Sequence, residues 1–260
     1  MVKLSNLLNL IQNENMKIYR RPRTWVMMGL VVLIPLVIAI ILKSVNSDEP
    51  IVSNMLSFMN MASNLTVVVF VFSIVIAAEI VAGEFTWGTI KLLLIRPATR
   101  SKILLSKYFA SILFMLLMLA ILYIFSALIG LLFFGNSGDA NDLSLLSILE
   151  KYGFATIDLF MSLTFAFMIS SIFRSSVLAI ALSFILMFFS GTIMQVLKAF
   201  GYKWAKYILF ANTDLSLYTK GREPFMEGMT LGFSLTMLLI YYIVFVGLAW
   251  TLFKKRDVAG

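Results

Sequence analysis

Long uncharged apolar runs alternate with short polar segments along this chain. Six of these runs are long enough to cross a bilayer core as α-helices, which takes about 20 residues. We predict spans at about residues 25–42, 58–82, 108–134, 153–173, 177–197 and 228–253. Residues 1–23 precede the first span and predict a helix that lies in the membrane surface, because one face carries Leu4, Leu7, Leu8, Ile11 and Ile18. The pattern therefore predicts an all-α membrane protein, with residues 1–260 forming a single transmembrane domain of six helices.

A charged stretch from Glu84 to Lys107 separates the second apolar run from the third. It holds six charges in 24 residues, and five of them are Lys or Arg. Because cytoplasmic loops beside membrane spans collect these residues, we expect this loop in the cytoplasm. Trp87, Ile90 and Leu94 fall at i, i+3 and i+7, which is one stripe of a helix, and Pro97 follows as a helix breaker. The pattern predicts a short amphipathic helix that is either an interfacial anchor or a docking element.

The residues of this stretch resemble the first cytoplasmic loop of ABC-2 type transporter permeases. The resemblance rests on Glu84, Gly88-Thr89-Ile90-Lys91, Leu93-Leu94, Pro97, Arg100 and Ser106-Lys107, and the order of the spans extends it to essentially the whole chain. It implies six spans, an N-terminal interfacial elbow helix and, between spans 2 and 3, a cytoplasmic coupling helix that sits in a cleft of a partner ATPase. The ATPase contacts expected from it are Glu84, Trp87, Gly88, Thr89, Ile90, Lys91, Leu94 and Arg96.

The same resemblance implies the permease subunit of an ATP-driven exporter in a bacterial cytoplasmic membrane. Two cytoplasmic ATPase subunits would bind ATP and Mg²⁺, and a second copy or a similar permease would complete the membrane part. The substrate would be amphipathic or hydrophobic: a peptide, toxin, antibiotic or lipid. Since spans 2 and 5 line the dimer axis in that family, the candidates for a substrate path are Phe70, Phe72, Phe184, Phe188 and Met194. For each of them, simple packing or lipid contact is the alternative.

Composition excludes several other classes of function. The chain has 260 residues, of which 61% are hydrophobic and 13% charged, unlike a soluble domain. It contains no GxxxxGK[ST] phosphate loop, so a partner would have to bind ATP. It contains no His and no Cys, and we expect neither a catalytic residue nor a metal site. The net charge of +8 arises mainly at span ends, where lipid headgroups explain it better than nucleic acid does.

Two carboxylates within the predicted spans support alternative functions. An ionisable residue at membrane depth is a functional candidate. Glu79 and Asp158 could form a carboxylate pair in a membrane-embedded enzyme, or serve a self-contained channel or carrier. The other interpretation of Glu79, which we favour, is that it reaches the inner headgroups and pairs with a nearby Lys or Arg.

The distribution of basic residues favours six spans with both termini in the cytoplasm. This topology places 14 Lys and Arg inside and seven outside. A five-span rival, which omits residues 153–173 because of Asp158, gives 15 and six, so the orientation rule does not separate them. Hydropathy favours six. Five of the outer basic residues lie in loop 198–227 together with seven aromatic residues, and we expect short half-buried helices there.

Overall fold

The computed structural model describes residues 2–45, 52–86, 88, 99–136, 143–173, 175–219 and 224–255, with the backbone alone for residues 2–6 and 187. These residues form helices and turns, without a β-strand among them. The α-helices are α1 (Val2–Tyr19), α2 (Pro22–Ser44), α3 (Met55–Ala62), α4 (Thr66–Thr86), α5 (Arg100–Phe134), α6 (Leu145–Ile172), α7 (Ser176–Ala199), α8 (Leu209–Asn212), α9 (Ser216–Thr219) and α10 (Leu231–Lys255). Two 3₁₀ turns cover Ser63–Leu65 and Lys203–Tyr207.

Six helical segments are long and apolar enough to cross a membrane. They are α2, the continuous segment Met55–Thr86 that contains α3 and α4, α5, α6, α7 and α10. This confirms the predicted all-α class and the six candidate spans, including the fourth, which the five-span rival omits. A helix over Val2–Tyr19 is also observed ahead of the first span.

Two helices begin ahead of the apolar runs that they contain, because capping residues start each helix in the preceding polar segment. The third span was expected from residue 108, but α5 begins at Arg100, where the Thr99 side chain accepts a hydrogen bond from the backbone N–H of Lys102. The fourth was expected from residue 153, but α6 begins at Leu145 behind a capping box of Ser144 and Ser147. Each helix therefore begins about two turns before its apolar run.

Pro22 and two side-chain hydrogen bonds stabilise the turn between α1 and α2. Pro22 occupies the first turn of α2, where its missing N–H has no helical partner to lose. The Thr24 hydroxyl donates to the Ile18 carbonyl at 2.6 Å, and the Trp25 indole N–H donates to the Tyr19 carbonyl at 2.9 Å. These bonds connect the end of α1 to the start of α2.

Side-chain contacts give the directions of the helices. Lys151 Nζ donates to the Asn60 carbonyl at 3.1 Å and the Ala82 N–H donates to Ser170 Oγ at 3.0 Å, so the segment Met55–Thr86 runs parallel to α6. In α10, the rings of Tyr242 and Phe245 meet those of Phe160 and Phe165 in α6, so these helices are also parallel. Helix α5 is antiparallel to α6, since Tyr108 contacts Phe167 and Tyr123 contacts Tyr152. Spans 2, 4 and 6 therefore run in the same direction.

Helices α4, α5 and α6 form the interior of the bundle. Small residues of α4, including Ala77, Ala78 and Ala82, are completely buried, which allows close helix packing in a membrane. Gly130 of α5 serves the same purpose at the end of the bundle opposite to α1, because a Cβ there would meet the Met55 carbonyl oxygen at 3.1 Å. Helices α2, α7 and α10 lie outside and leave most of their apolar side chains exposed or half-buried.

The predicted aromatic loop folds into the bundle in part, as expected. A 3₁₀ turn and the short helices α8 and α9 lie between α7 and α10. Leu209 and Leu215 are buried in the main core, and the Asn212 amide donates to the Lys206 and Ile208 carbonyls at 2.8 and 2.9 Å. The Tyr218 and Ser234 hydroxyls lie 2.8 Å apart and tie α9 to α10.

We predict that Asp214, which is exposed in this loop, lies on the outer side of the membrane. A single Cys at this position should react with a membrane-impermeant thiol reagent in intact cells, because the chain has no Cys of its own. The matched control is Lys255→Cys at the end of α10, which should react only after the cells are opened. The reverse labelling pattern would place Asp214 inside and the end of α10 outside, which contradicts the six-span topology and favours the five-span rival.

Candidate functional site

Four charged side chains form a closed ring where α1, α4 and α5 meet, and we call this ring the charge cluster. Lys107 Nζ donates to Glu14 Oε2 and to Glu84 Oε1, each at 2.8 Å. Lys17 Nζ donates to Glu14 Oε1 at 2.8 Å and to Glu84 Oε1 at 2.9 Å. Each lysine therefore contacts both carboxylates, and the formal charges of the four groups sum to zero.

The charge cluster is largely removed from solvent. The exposed fraction of the side chain is 1% for Lys107, 7% for Glu14 and 13% for Glu84, whereas Lys17 remains 39% exposed. Burial lowers the pKa of Lys17, but the charges of Glu14 and Glu84 and their hydrogen bonds outweigh that effect and raise its pKa above the ordinary value. Lys17 is therefore charged at neutral pH. An isolated buried ion costs several kcal/mol, so the four groups need one another.

Glu14 and Lys17 are members of the cluster that the sequence analysis did not predict, and Glu14 is the more buried of the two. Glu14 follows Leu7 and Ile11 and precedes Ile18 at spacings of three or four residues, which places the four residues on one face of α1. Glu14 and Ile18 are buried, and Tyr19 at the end of the helix contacts Phe114 of α5. Leu8, predicted on the same apolar face, is 62% exposed. The signal for the charge cluster in the sequence was the position of one carboxylate, Glu14, within the apolar stripe of α1.

Glu84 and Lys107 close the base of the predicted coupling loop. Helix α4 continues to Thr86, and Gly88 follows with φ of 68°, a conformation that glycine adopts without steric cost. Glu84 and Gly88 are the members of the predicted contact set that the structure describes. The Glu84 carboxylate is held by Lys17 and Lys107. The other predicted contacts lie outside the described residues: Trp87, Thr89, Ile90, Lys91, Leu94 and Arg96.

A second ion pair lies beside the charge cluster and confirms the expected pairing of Glu79 with nearby basic residues. Arg23 binds Glu79 Oε2, and Arg21 Nη1 lies 3.4 Å from Glu79 Oε1. These arginines flank Pro22, so the joint between α1 and α2 is bound electrostatically to α4. The arginine side chains are 45% and 37% exposed, which makes this pair weaker per contact than the buried one.

The structure does not bring Glu79 and Asp158 together. Because Ala82 is level with Ser170, Glu79 is level with the residue three positions before Ser170 in α6. Asp158 lies nine residues before that position in α6, which corresponds to about 13 Å along the axis of an α-helix. It contacts Thr213 and lies near Asp214 at the start of the segment before α9. The two carboxylates cannot act as one catalytic pair in this arrangement.

Three of the five candidates for a substrate path form one aromatic group between α4 and α7. The ring of Phe188 lies 6.4 Å from that of Phe70 and 5.8 Å from that of Phe184. Phe72 packs on the main core without a ring contact to this group. Met194 is buried in a separate cluster beneath the 3₁₀ turn.

We predict that Lys107→Ala destabilises the protein by about 3–5 kcal/mol, because it leaves two buried carboxylates with one partly exposed lysine. The thermal unfolding midpoint of the purified protein in detergent would measure this loss. Lys102→Ala on the same helix is the matched control, since Lys102 is only half-buried and forms no ion pair among the described residues. It should change stability by no more than about 0.5 kcal/mol. Equal effects of the two substitutions would contradict a stabilising role for the charge cluster.

Comparison with known proteins places the chain in a family. It is 37% identical to "Uncharacterized protein YhcI" of Bacillus subtilis (strain 168), with 98% of this chain and all of that protein aligned. It is 35% identical to "Uncharacterized membrane protein YdbK" of the same organism, with 94% of this chain and 99% of that protein aligned. Residues 36–259 match one family model, so the chain belongs to the family described as "Protein of unknown function (DUF2705)".

Proposed function

We propose that this multi-pass membrane protein is the permease subunit of an ATP-driven exporter of the ABC-2 type. The observation that carries the proposal is the charge cluster, because it binds the base of the cytoplasmic loop to three helices. Glu84 lies three residues before Trp87, and Lys107 lies on the far side of the loop in α5. Both bind Glu14 or Lys17 of α1. A force applied to the loop is thus transmitted to α1, α4 and α5 together.

The proposed mechanism follows from this connection. Two ATPase subunits in the cytoplasm bind ATP and Mg²⁺, and their closure pushes the coupling helix. The cluster resists separation of its members, since breaking one contact exposes a buried charge to an apolar surrounding. The displacement therefore moves the interior helices α4 and α5 with α1, the elbow helix at the cytoplasmic surface. The bacterial cytoplasmic membrane, with both termini inside, is the proposed location.

The loop supplies the docking surface for the ATPase. Trp87, Ile90 and Leu94 form the apolar stripe that fills the cleft of the partner. Glu84, Lys91 and Arg96 supply polar contacts in this proposal, with Lys91 at the edge of the stripe. This chain hydrolyses no ATP itself in the proposal, because its sequence has no phosphate-binding loop.

The membrane part is completed by a second copy or a similar permease, with the substrate between the two. The aromatic group of Phe70, Phe184 and Phe188 lies on α4 and α7, and Phe188 is 56% exposed. Exposed rings of this kind suit a hydrophobic or amphipathic substrate, such as a peptide, toxin, antibiotic or lipid.

A membrane-embedded enzyme and a self-contained channel or carrier are the alternatives. Glu79 is paired with Arg21 and Arg23. Of the two candidate carboxylates, Asp158 is therefore the one that an enzyme, a channel or a carrier could use. Purification of a tagged chain from its native host separates the proposals, since the permease should bring down an ATPase with a phosphate-binding loop. Transport by the purified chain alone, without ATP, would favour a self-contained channel or carrier.

We predict that Trp87→Asp and Ile90→Asp each abolish association with the ATPase. A buried apolar anchor contributes about 1.5–3 kcal/mol, and an unpaired carboxylate in the same cleft costs several kcal/mol more. Since about 1.4 kcal/mol corresponds to a tenfold change, affinity should fall by orders of magnitude. Co-purification and stimulation of ATP hydrolysis would measure the loss.

Lys91→Ala is the matched control in the same loop. It should weaken association far less, because Lys91 lies at the edge of the apolar stripe. All three variants should insert into the membrane normally, since the loop lies outside the spans. Full ATPase binding by Trp87→Asp would reduce the loop to an interfacial anchor.

We also predict that Phe188→Gln lowers export by about tenfold, the effect of about 1.4 kcal/mol, at unchanged expression. The polar amide would interrupt the aromatic group that Phe188 forms with Phe70 and Phe184. Phe189→Gln is the control, because Phe189 is equally exposed, at 59%, but does not belong to this group. An assay of export in vesicles would measure both variants. An equal reduction by both would indicate a general effect on α7 and no specific role for the aromatic group.

A further inference from the structure

Three lysines lie among exposed aromatic rings at the end of the bundle opposite to α1. Lys198 belongs to the last turn of α7, and Lys203 and Lys206 belong to the 3₁₀ turn that follows. The rings beside them are between 48% and 73% exposed: Phe200, Tyr202, Trp204 and Tyr207. We call residues 198–207 the lysine–aromatic surface.

The backbone of this surface is held firmly against the helices. Gly201 has φ of 70° and turns the chain at the end of α7. Ala205 is completely buried and packs in a cluster with Met194 and Met229. The Tyr241 hydroxyl of α10 donates to the Tyr207 carbonyl at 2.9 Å. The exposed rings and lysines therefore project from an anchored segment.

In the part of the chain that the structure describes, no carboxylate forms an ion pair with the lysines of this surface. The ion pairs among the described residues lie at the α1 end and involve none of these three lysines. Lys198 Nζ lies 5.0 Å from the centroid of the Phe225 ring, and Lys206 Nζ lies 5.8 Å from that of Phe233. These cation–π contacts place the ammonium groups without neutralising them.

The ammonium groups lie at the level where the apolar band of the bundle ends. Lys198 is one residue from the end of α7, and Phe233, beneath Lys206, is two residues after the start of α10. Below this level both helices expose apolar side chains, including Ile193, Val196 and Leu235. Helix α7 has 24 residues and spans about 36 Å, slightly more than a hydrocarbon core of about 30 Å. Its last turn therefore reaches the lipid headgroups.

We propose that the lysine–aromatic surface binds anionic phospholipid headgroups. The lysines contact the negatively charged headgroups, and the rings lie among them and the upper acyl chains. The continuity of this surface with the exposed apolar faces of α7 and α10 favours a lipid over an acidic soluble partner. The site is independent of ATP-driven transport, because it depends only on the membrane placement of the bundle.

Fluorescence quenching of Trp204 tests this site in the full-length protein. The chain has four tryptophans, so Trp25, Trp87 and Trp250 are replaced by Phe to leave Trp204 as the reporter. The protein is reconstituted in phosphatidylcholine that contains a small fraction of brominated phosphatidylglycerol or, separately, brominated phosphatidylcholine. One lysine near an anionic surface contributes about a fivefold preference, so we expect brominated phosphatidylglycerol to be enriched at least about fivefold around Trp204.

Two comparisons identify the lysines as the cause of the enrichment. K198Q/K203Q/K206Q should remove the preference, whereas K198R/K203R/K206R should keep it. The reporter protein with all three lysines should also lose the preference at about 1 M salt, where the screening length falls to about 3 Å. The salt test does not depend on folding of the glutamine variant.

Two results would overturn the proposal. Equal quenching by both brominated lipids would show that the rings make general interfacial contacts without selecting charge. No quenching by either lipid would show that the surface faces water and is suited to an acidic peptide or protein. Selective quenching that disappears with the lysine charges or at high salt supports the site.

Discussion

The desolvation of Lys107 is the constraint on which the rest of this structure depends. A lysine with 1% of its side chain exposed requires carboxylates within bonding distance, and Glu14 and Glu84 supply them from two other helices. This requirement determines where α1 lies against α5, and where α4 ends relative to the start of α5.

The two ends of the bundle use charge in opposite ways. At the α1 end, basic groups are paired within the protein, and the pairs connect helices to one another. At the opposite end, Lys198 and Lys206 lie over aromatic rings, with no ion pair among the described residues. Internal pairing produces rigidity where a partner is proposed to push. Unpaired charge at the other end remains available to the lipid headgroups that surround the protein.

The interior helices hold the two ends of the bundle, with their different uses of charge, in fixed positions. Small residues such as Ala77 and Ala78 allow α4 to pack closely between its neighbours, and the parallel course of α4, α6 and α10 places their ends in two defined layers. Asp158 remains the feature without a role in the proposed mechanism. Its contact with Thr213 connects α6 to the segment that folds back between α7 and α10.

The sequence by itself determined the helical class and the six candidate spans, because the hydrocarbon core restricts what an apolar run can become. It favoured an ion pair for Glu79, but the structure identified Arg21 and Arg23 as the partners. It missed the start of α6, since the capping box of Ser144 and Ser147 allows polar residues to begin the helix ahead of its apolar run. It also missed Glu14, because only the packing of α1 on α5 shows that this carboxylate is buried within the apolar face. The charge cluster joins residues 93 positions apart, and no periodicity within α1 or α5 predicts such a contact. Only the tertiary structure could decide it, because the energy that requires the pairing arises when the helices assemble and exclude water.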